Sequence, residues 1–89
     1  MRAAFQKSFA SADSATREMV NKFVDEAEKN QVADAYADIN ELMTLRTLTK
    51  DQGITVARAS ATMSQIASEA AQAGDQQTAE TMRATLRKH

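Results

Sequence analysis

From Val56 to Ala73 the residues Val56, Ala59, Met63, Ile66, Ala70 and Ala73 recur three and four positions apart. An α-helix gathers that spacing on one side, whereas a strand would scatter it over both faces. A stripe this long restricts the chain to folds in which helix packs on helix. Half of it is alanine, so partner helices can approach closely while each contact buries little area.

The segment just before the stripe decides how it pairs. Lys50-Asp51-Gln52-Gly53-Ile54-Thr55 reads as a stop and then a start. Gly53 can take the left-handed conformation that ends a helix, Lys50 complements the C-terminal dipole, Ile54 can fold back on Leu48, and Thr55 can cap the next helix. The competing reading runs one helix through the glycine. Thr49 and Gln52 have the spacing of a capping box, and a glycine inside a helix costs only about 1 kcal/mol. Because these two polar residues interrupt the stripe on its way back to Leu45, a turn at Gly53 is the expectation. It predicts helices over 31–52 and 55–73, paired so that 32–43 buries against 56–73.

The remaining boundaries come from local chemistry. Phe5, Phe9, Ala12, Thr16, Met19, Val20, Phe23, Val24 and Ala27 share one side of a helical wheel, with Lys7, Glu18, Asp25, Glu28 and Lys29 opposite. Ser8, Ser11, Asp13, Ser14 and Thr16 favour caps and turns, so a firm helix is expected over 13–29 with Asp13 as N-cap. Residues 1–12 then have two readings, a frayed extension or a separate turn of helix from residue 3. The next stripe, Val32, Ala35, Tyr36, Ile39, Leu42, Met43 and Arg46, has nearly the opposite phase, so either the chain turns near Lys29-Asn30-Gln31 or one long helix shows different faces to different partners; Asn30 tolerates the left-handed conformation, and a tight turn there is the expectation. Gly74-Asp75 ends the Val56–Ala73 helix and caps a last one over 75–87, with Ala79, Met82 and Leu86 apolar.

The expected fold is therefore all-α, a three- or four-helix bundle of antiparallel hairpins forming one domain over residues 1–89. Two glycines, no proline and only four aromatic residues in 89 agree with it. A core built of alanine, methionine and aliphatic residues is thin at this length, so oligomerisation is a second means of completing it. Leu45 and Leu48 lie off the Val32–Arg46 stripe. They fit either the middle helix of a bundle or, together with Phe5 and Phe9, a candidate partner interface. Met19, Met43, Met63 and Met82 read as core filling.

Catalytic and ligand chemistry finds little footing. The one histidine is His89, the serines and threonines sit in no glycine-rich elbow, and there is no cysteine. No catalytic, cofactor-binding or metal-ligating residue is assigned, and no cofactor is expected. Asp34, Asp38 and Glu41 lie on successive turns but lack the Glu-x-x-His element of carboxylate metal bundles, so a solvated face is expected. Eleven basic and twelve acidic residues, net −1, are interspersed along the chain, which disfavours a broad nucleic-acid-binding face. Arg83, Arg87, Lys88 and His89 complement a helix C-terminus. No apolar run is long enough to span a bilayer and no secretory h-region is present; the expected location is cytoplasmic by default, with export lacking a cleaved signal left open.

Residues 66–86, with Ile66, Ala67, Ala70, Gly74-Asp75, Ala79 and Met82, resemble part of a tetratricopeptide-type helical hairpin, without its usual aromatics or terminal proline. Thirty-four residues earlier Asn40 stands in place of the turn glycine, so no repeat array is implied. As a small alanine-rich helical chain lacking Cys, Pro and Trp, it also broadly resembles the filament subunits, adaptors and chaperones of bacterial secretion systems. The function expected from the residues is a non-catalytic protein–protein interaction or assembly module, acting through a protein partner or as a homo-oligomer, coiled-coil-like in its helix packing. A secretion-system subunit, adaptor or chaperone is the first alternative. A small DNA-binding regulator is the second, with a helix-turn-helix at Gly53 and residues 55–73 as recognition helix, although Arg58 is the only cation there.

Overall fold

Four short devices divide the chain: Asp13, Asn30, the segment 44–49, and Gly74-Asp75. The structure is a computed structural model describing residues 1–88, Lys88 by its backbone alone. Five helices lie among these residues: α1 (Arg2–Ser8), α2 (Ser14–Glu28), α3 (Val32–Met43), α4 (Lys50–Gln72) and α5 (Gln76–Lys88). The architecture is an all-α helical bundle, as the periodicity requires. Asp13 accepts a hydrogen bond from the Thr16 backbone N–H at 2.7 Å and starts α2. Asn30 takes φ 59° and turns the chain between α2 and α3. Gly74 (φ 105°) ends α4, and Asp75 accepts from the Thr78 N–H at 3.1 Å to start α5. Each of these boundaries falls where the local chemistry predicts.

The Gly53 turn does not form. α3 ends well before it, at Met43, and α4 runs unbroken from Lys50 through Gly53. Two local effects explain the correction. Thr44 turns its N–H and its hydroxyl, at 3.0 and 2.7 Å, onto the Glu41 carbonyl and so closes α3. Thr49 and Gln52 then make the full capping box: the Gln52 N–H donates to Thr49 Oγ1 at 3.2 Å, and the Thr49 N–H donates to Gln52 Oε1 at 3.0 Å. Gly53 itself donates a helical hydrogen bond of 2.8 Å to the Thr49 carbonyl. The cap and the packed turns beyond it outweigh the modest helix preference that glycine lacks. The helices expected over 31–52 and 55–73 are therefore 32–43 and 50–72, and the leucines at 45 and 48 belong to the connection.

α3 is the central element and packs against α2, α4 and α5, while α5 also packs on α4. The expected burial of the Val32–Met43 stripe against the Val56 stripe is realised. Ala35, Ile39 and Leu42 share one core cluster with Val56, Ala59 and Met63. Ile66, Ala73 and Met43 are exceptions, all exposed, Ala70 is only partly buried, and Ala67 takes the buried place beside Ile66. α2 and α4 pack on α3 and hardly on each other. The cleft left between them is where α1 lies, a separate short helix.

Candidate functional site

The cleft between α2 and α4 is filled by α1. On the α2 side Val20, Phe23 and Val24 face the core; on the α4 side Val56 and Ala59 do so. Into this cleft α1 inserts Phe5 and Phe9, which retain only 1% and 2% of their exposure. The Phe5 ring stacks on Phe9 with centroids 5.8 Å apart and tilts against Phe23 at 5.5 Å. Offset and tilted arrangements of this kind suit the ring quadrupoles. Both phenylalanines fall on one helical face because they are four residues apart.

Polar contacts fix the direction of α1. At its start, Arg2 Nη2 donates to Asp25 Oδ1 at 2.6 Å and to Glu28 Oε1 at 2.8 Å, and Arg2 Nε donates to Glu28 Oε2 at 3.0 Å. The guanidinium thus grips Glu28 with two parallel bonds. It holds the Glu28 carboxyl below its ordinary range, and the carboxylates in turn raise Arg2. These groups are half exposed, so the pairing sets orientation more than stability. At the other end, the buried Gln52 donates from Nε2 to the Ser8 carbonyl at 3.1 Å, and the Ser8 and Thr55 hydroxyls lie 2.6 Å apart. Gln52 therefore starts α4 with one end of its amide and satisfies a C-terminal carbonyl of α1 with the other. Crevices remain open on both flanks of α1, one lined by Gln6, Ala10, Arg17 and Asn21, the other by Met1, Ala4, Arg58 and Thr62.

Of the residues expected at a partner surface, Phe5 and Phe9 are buried in this chain's own cleft. Leu45 and Leu48 are partly buried against the core. Being in the connection, they hold the 44–49 segment down, and this explains why they left the helical stripe. All four belong to, or pack against, the one core cluster. Met43, expected in the core, projects from the last turn of α3 and is half exposed. The helix-turn-helix reading required a turn at Gly53, and α4 is continuous there. Arg83 and Arg87 are exposed on α5; the Lys88 side chain and His89 lie outside the described residues.

A second cluster, missed in the sequence, lies between α2 and α3. Lys22 Nζ is 3.9 Å from Glu26 Oε2 and 3.3 Å from Asp38 Oδ2. Glu26 is buried, and its Oε1 and Asp38 Oδ2 are both enclosed, Asp38 Oδ2 with the Lys22 ammonium beside it and Glu26 Oε1 with no donor while both carboxyls are ionised. Burial, then the hydrogen bond to and charge of the Asp38 carboxyl, push Glu26 up to about 7, against the pull of Lys22. Lys22 is raised by its pairing with Asp38. Glu26 could have been noticed: it lies three residues after Phe23 at the margin of the apolar stripe, turned toward α3 and not with Asp25 and Glu28. Asp34 and Glu41 are exposed or partly so, and among the described residues no three His, Asp or Glu side chains converge as a metal site would need. Nor, among them, is any helix long and apolar enough to cross a membrane.

Comparison with family models, with curated proteins and with solved structures gives no match.

Proposed function

We propose that the chain is a non-catalytic helical interaction module whose working surface is the α2–α4 cleft, a receptor for a short amphipathic helix with two aromatic anchors four residues apart. The observation that supports this reading is α1 itself. It sits in the cleft as a helical ligand sits in a groove: two buried anchors, a basic residue on an acidic rim, and a polar contact at the far end. The cleft thereby specifies its ligand by shape and charge together. Arg2 selects against the reverse orientation, because it would place a cation away from Asp25 and Glu28.

The test is a peptide of residues 1–12 added to the whole chain carrying Phe5→Ala and Phe9→Ala, which empties the anchor pockets. The peptide is expected to bind saturably and to raise the melting temperature of the variant, while a peptide with both phenylalanines replaced by alanine does neither. A folded variant that ignores both peptides would remove the proposal.

A further inference from the structure

The apolar stripe of the first two helices is in phase across the break that separates them. Phe5, Phe9, Ala12, Met19 and Phe23 would share one face of a single helix. The chain is nevertheless interrupted over residues 9–13, and the interruption owes nothing to glycine or proline. Phe9-Ala10-Ser11-Ala12-Asp13 contains two alanines, the strongest helix formers. What stops the helix is the Ala12 N–H turned onto the Phe9 carbonyl at 3.1 Å, and Asp13, extended at φ −66°, ψ 165°, capping α2. Straightening the segment would lose that cap and gain helical backbone hydrogen bonds in its place. In a continuous helix, however, Phe5 would stand about 27 Å along the axis from Phe23, whereas their rings are now 5.5 Å apart. It could not reach its own cleft.

Taking the α2–α4 cleft as a helix-receiving groove, on which this step rests, we infer that residues 9–13 are a hinge. When the hinge straightens, α1 joins α2 and delivers Phe5 and Phe9 to the cleft of a second copy, which returns its own α1. A second copy is the occupant because it supplies the anchors the cleft already accepts and the Arg2 that matches Asp25 and Glu28. Reciprocal exchange also leaves neither cleft empty, the closed two-fold arrangement usual for dimers. The closed monomer holds α1 at an effective concentration of order millimolar. Exchange therefore belongs to concentrated or co-assembled chains.

Light scattering on the whole chain from about 10 µM to about 1 mM tests this with two substitutions that push the hinge in opposite directions. Asp13→Ala removes the cap that only the closed form uses and is expected to lower the concentration of half-dimerisation at least about fivefold. Ser14→Pro places proline at the first position of α2, after a residue already in the extended conformation that proline requires, and so suits the closed form. Inside a continuous helix the same proline disfavours exchange by more than about a hundredfold, and this variant is expected to stay monomeric. If Asp13→Ala does not fold, Ser11→Ala, which favours the straight hinge and keeps the cap, takes its place. A chain that is monomeric at about 1 mM in every variant overturns the inference, as does a dimer that Ser14→Pro leaves intact. If the emptied cleft still takes the 1–12 peptide in that case, the interaction module stands and only the exchange is lost.

Discussion

At the scale of single residues, the Lys22–Glu26–Asp38 cluster stands out because two enclosed carboxyl oxygens face each other's element with one lysine between them. Both are acceptors when ionised, so a proton on Glu26 is what allows the two carboxyls to hydrogen-bond. The groups bearing on Glu26 are Lys22 on its own helix and Asp38 and Asp34 on α3. Its folded-state pKa of about 7 lies above its ordinary value of 4.5, so folding takes up a proton between those limits. The stability this contributes is complete below about pH 4.5 and is lost as the pH rises to about 7. Asp13, Glu28 and Asp75, lowered by a cap, an arginine and a cap respectively, act in the opposite sense and lose their contribution in acid. Glu26→Gln isolates the cluster: its melting temperature should rise relative to the parent chain as pH goes from about 5 to about 7.5. Parallel melting curves across that range would show that Glu26 is ionised throughout.

At the scale of elements, α4 shows what the sequence did and did not make legible. Its buried face was evident at Val56, Ala59 and Met63, because 3.6-residue spacing needs no tertiary information, whereas beyond them Ala67 is buried in place of Ile66. The same holds for the boundaries at Asp13, Asn30 and Gly74-Asp75, each written in one or two residues whose backbone preferences are strong. The connection at 44–49 carries no glycine, proline or asparagine; it is held by a threonine hydroxyl and by two leucines that find the core only after folding. The capping box was visible, and a glycine four residues into the helix competed with it. Gly53 is not among the residues of positive φ, and a Cβ built on it meets nothing within 4 Å. Gly53→Ala should therefore stabilise the chain by about 0.5–1 kcal/mol, measurable by urea unfolding at unchanged slope. A loss of stability would place a turn at this residue after all. The cleft was legible only in part. Phe5 and Phe9 were recognisable as anchors, but no local pattern says that α2 and α4 stand apart and leave room for them.

At the scale of the whole molecule, the five helices do not share the core equally. α3 touches α2, α4 and α5, whereas α1 packs on α4 and reaches α2 through side chains. Native-state hydrogen exchange should accordingly show the α3 amides as the slowest and those of α1 as the fastest among the helices, with α1 opening before the rest unfolds. Protection in α1 equal to that in α3 would mean that the first helix is an integral part of the bundle and not a ligand of it. The longest dimension is 39 Å, about the length of a straight helix from Arg2 to Glu28 alone, so the hinge at 9–13 decides whether the molecule keeps this outline.

The docking of α1 on α4 also has a consequence for synthesis. α2 with α3, α3 with α4 and α4 with α5 are pairings of consecutive helices, while the hydroxyl of Ser8 meets that of Thr55, 47 positions further along. Chains grow from the N-terminus at about 5–20 residues per second, so several seconds separate the emergence of Phe5 and Phe9 from that of the helix that receives them. During that interval Phe5 and Phe9 have only the earlier side of their site, with Phe23 of α2, to pack on. Where ribosomes run close together on a message, neighbouring nascent chains offer these segments to one another before either has a cleft of its own. The first helix made is thus placed only after the fourth.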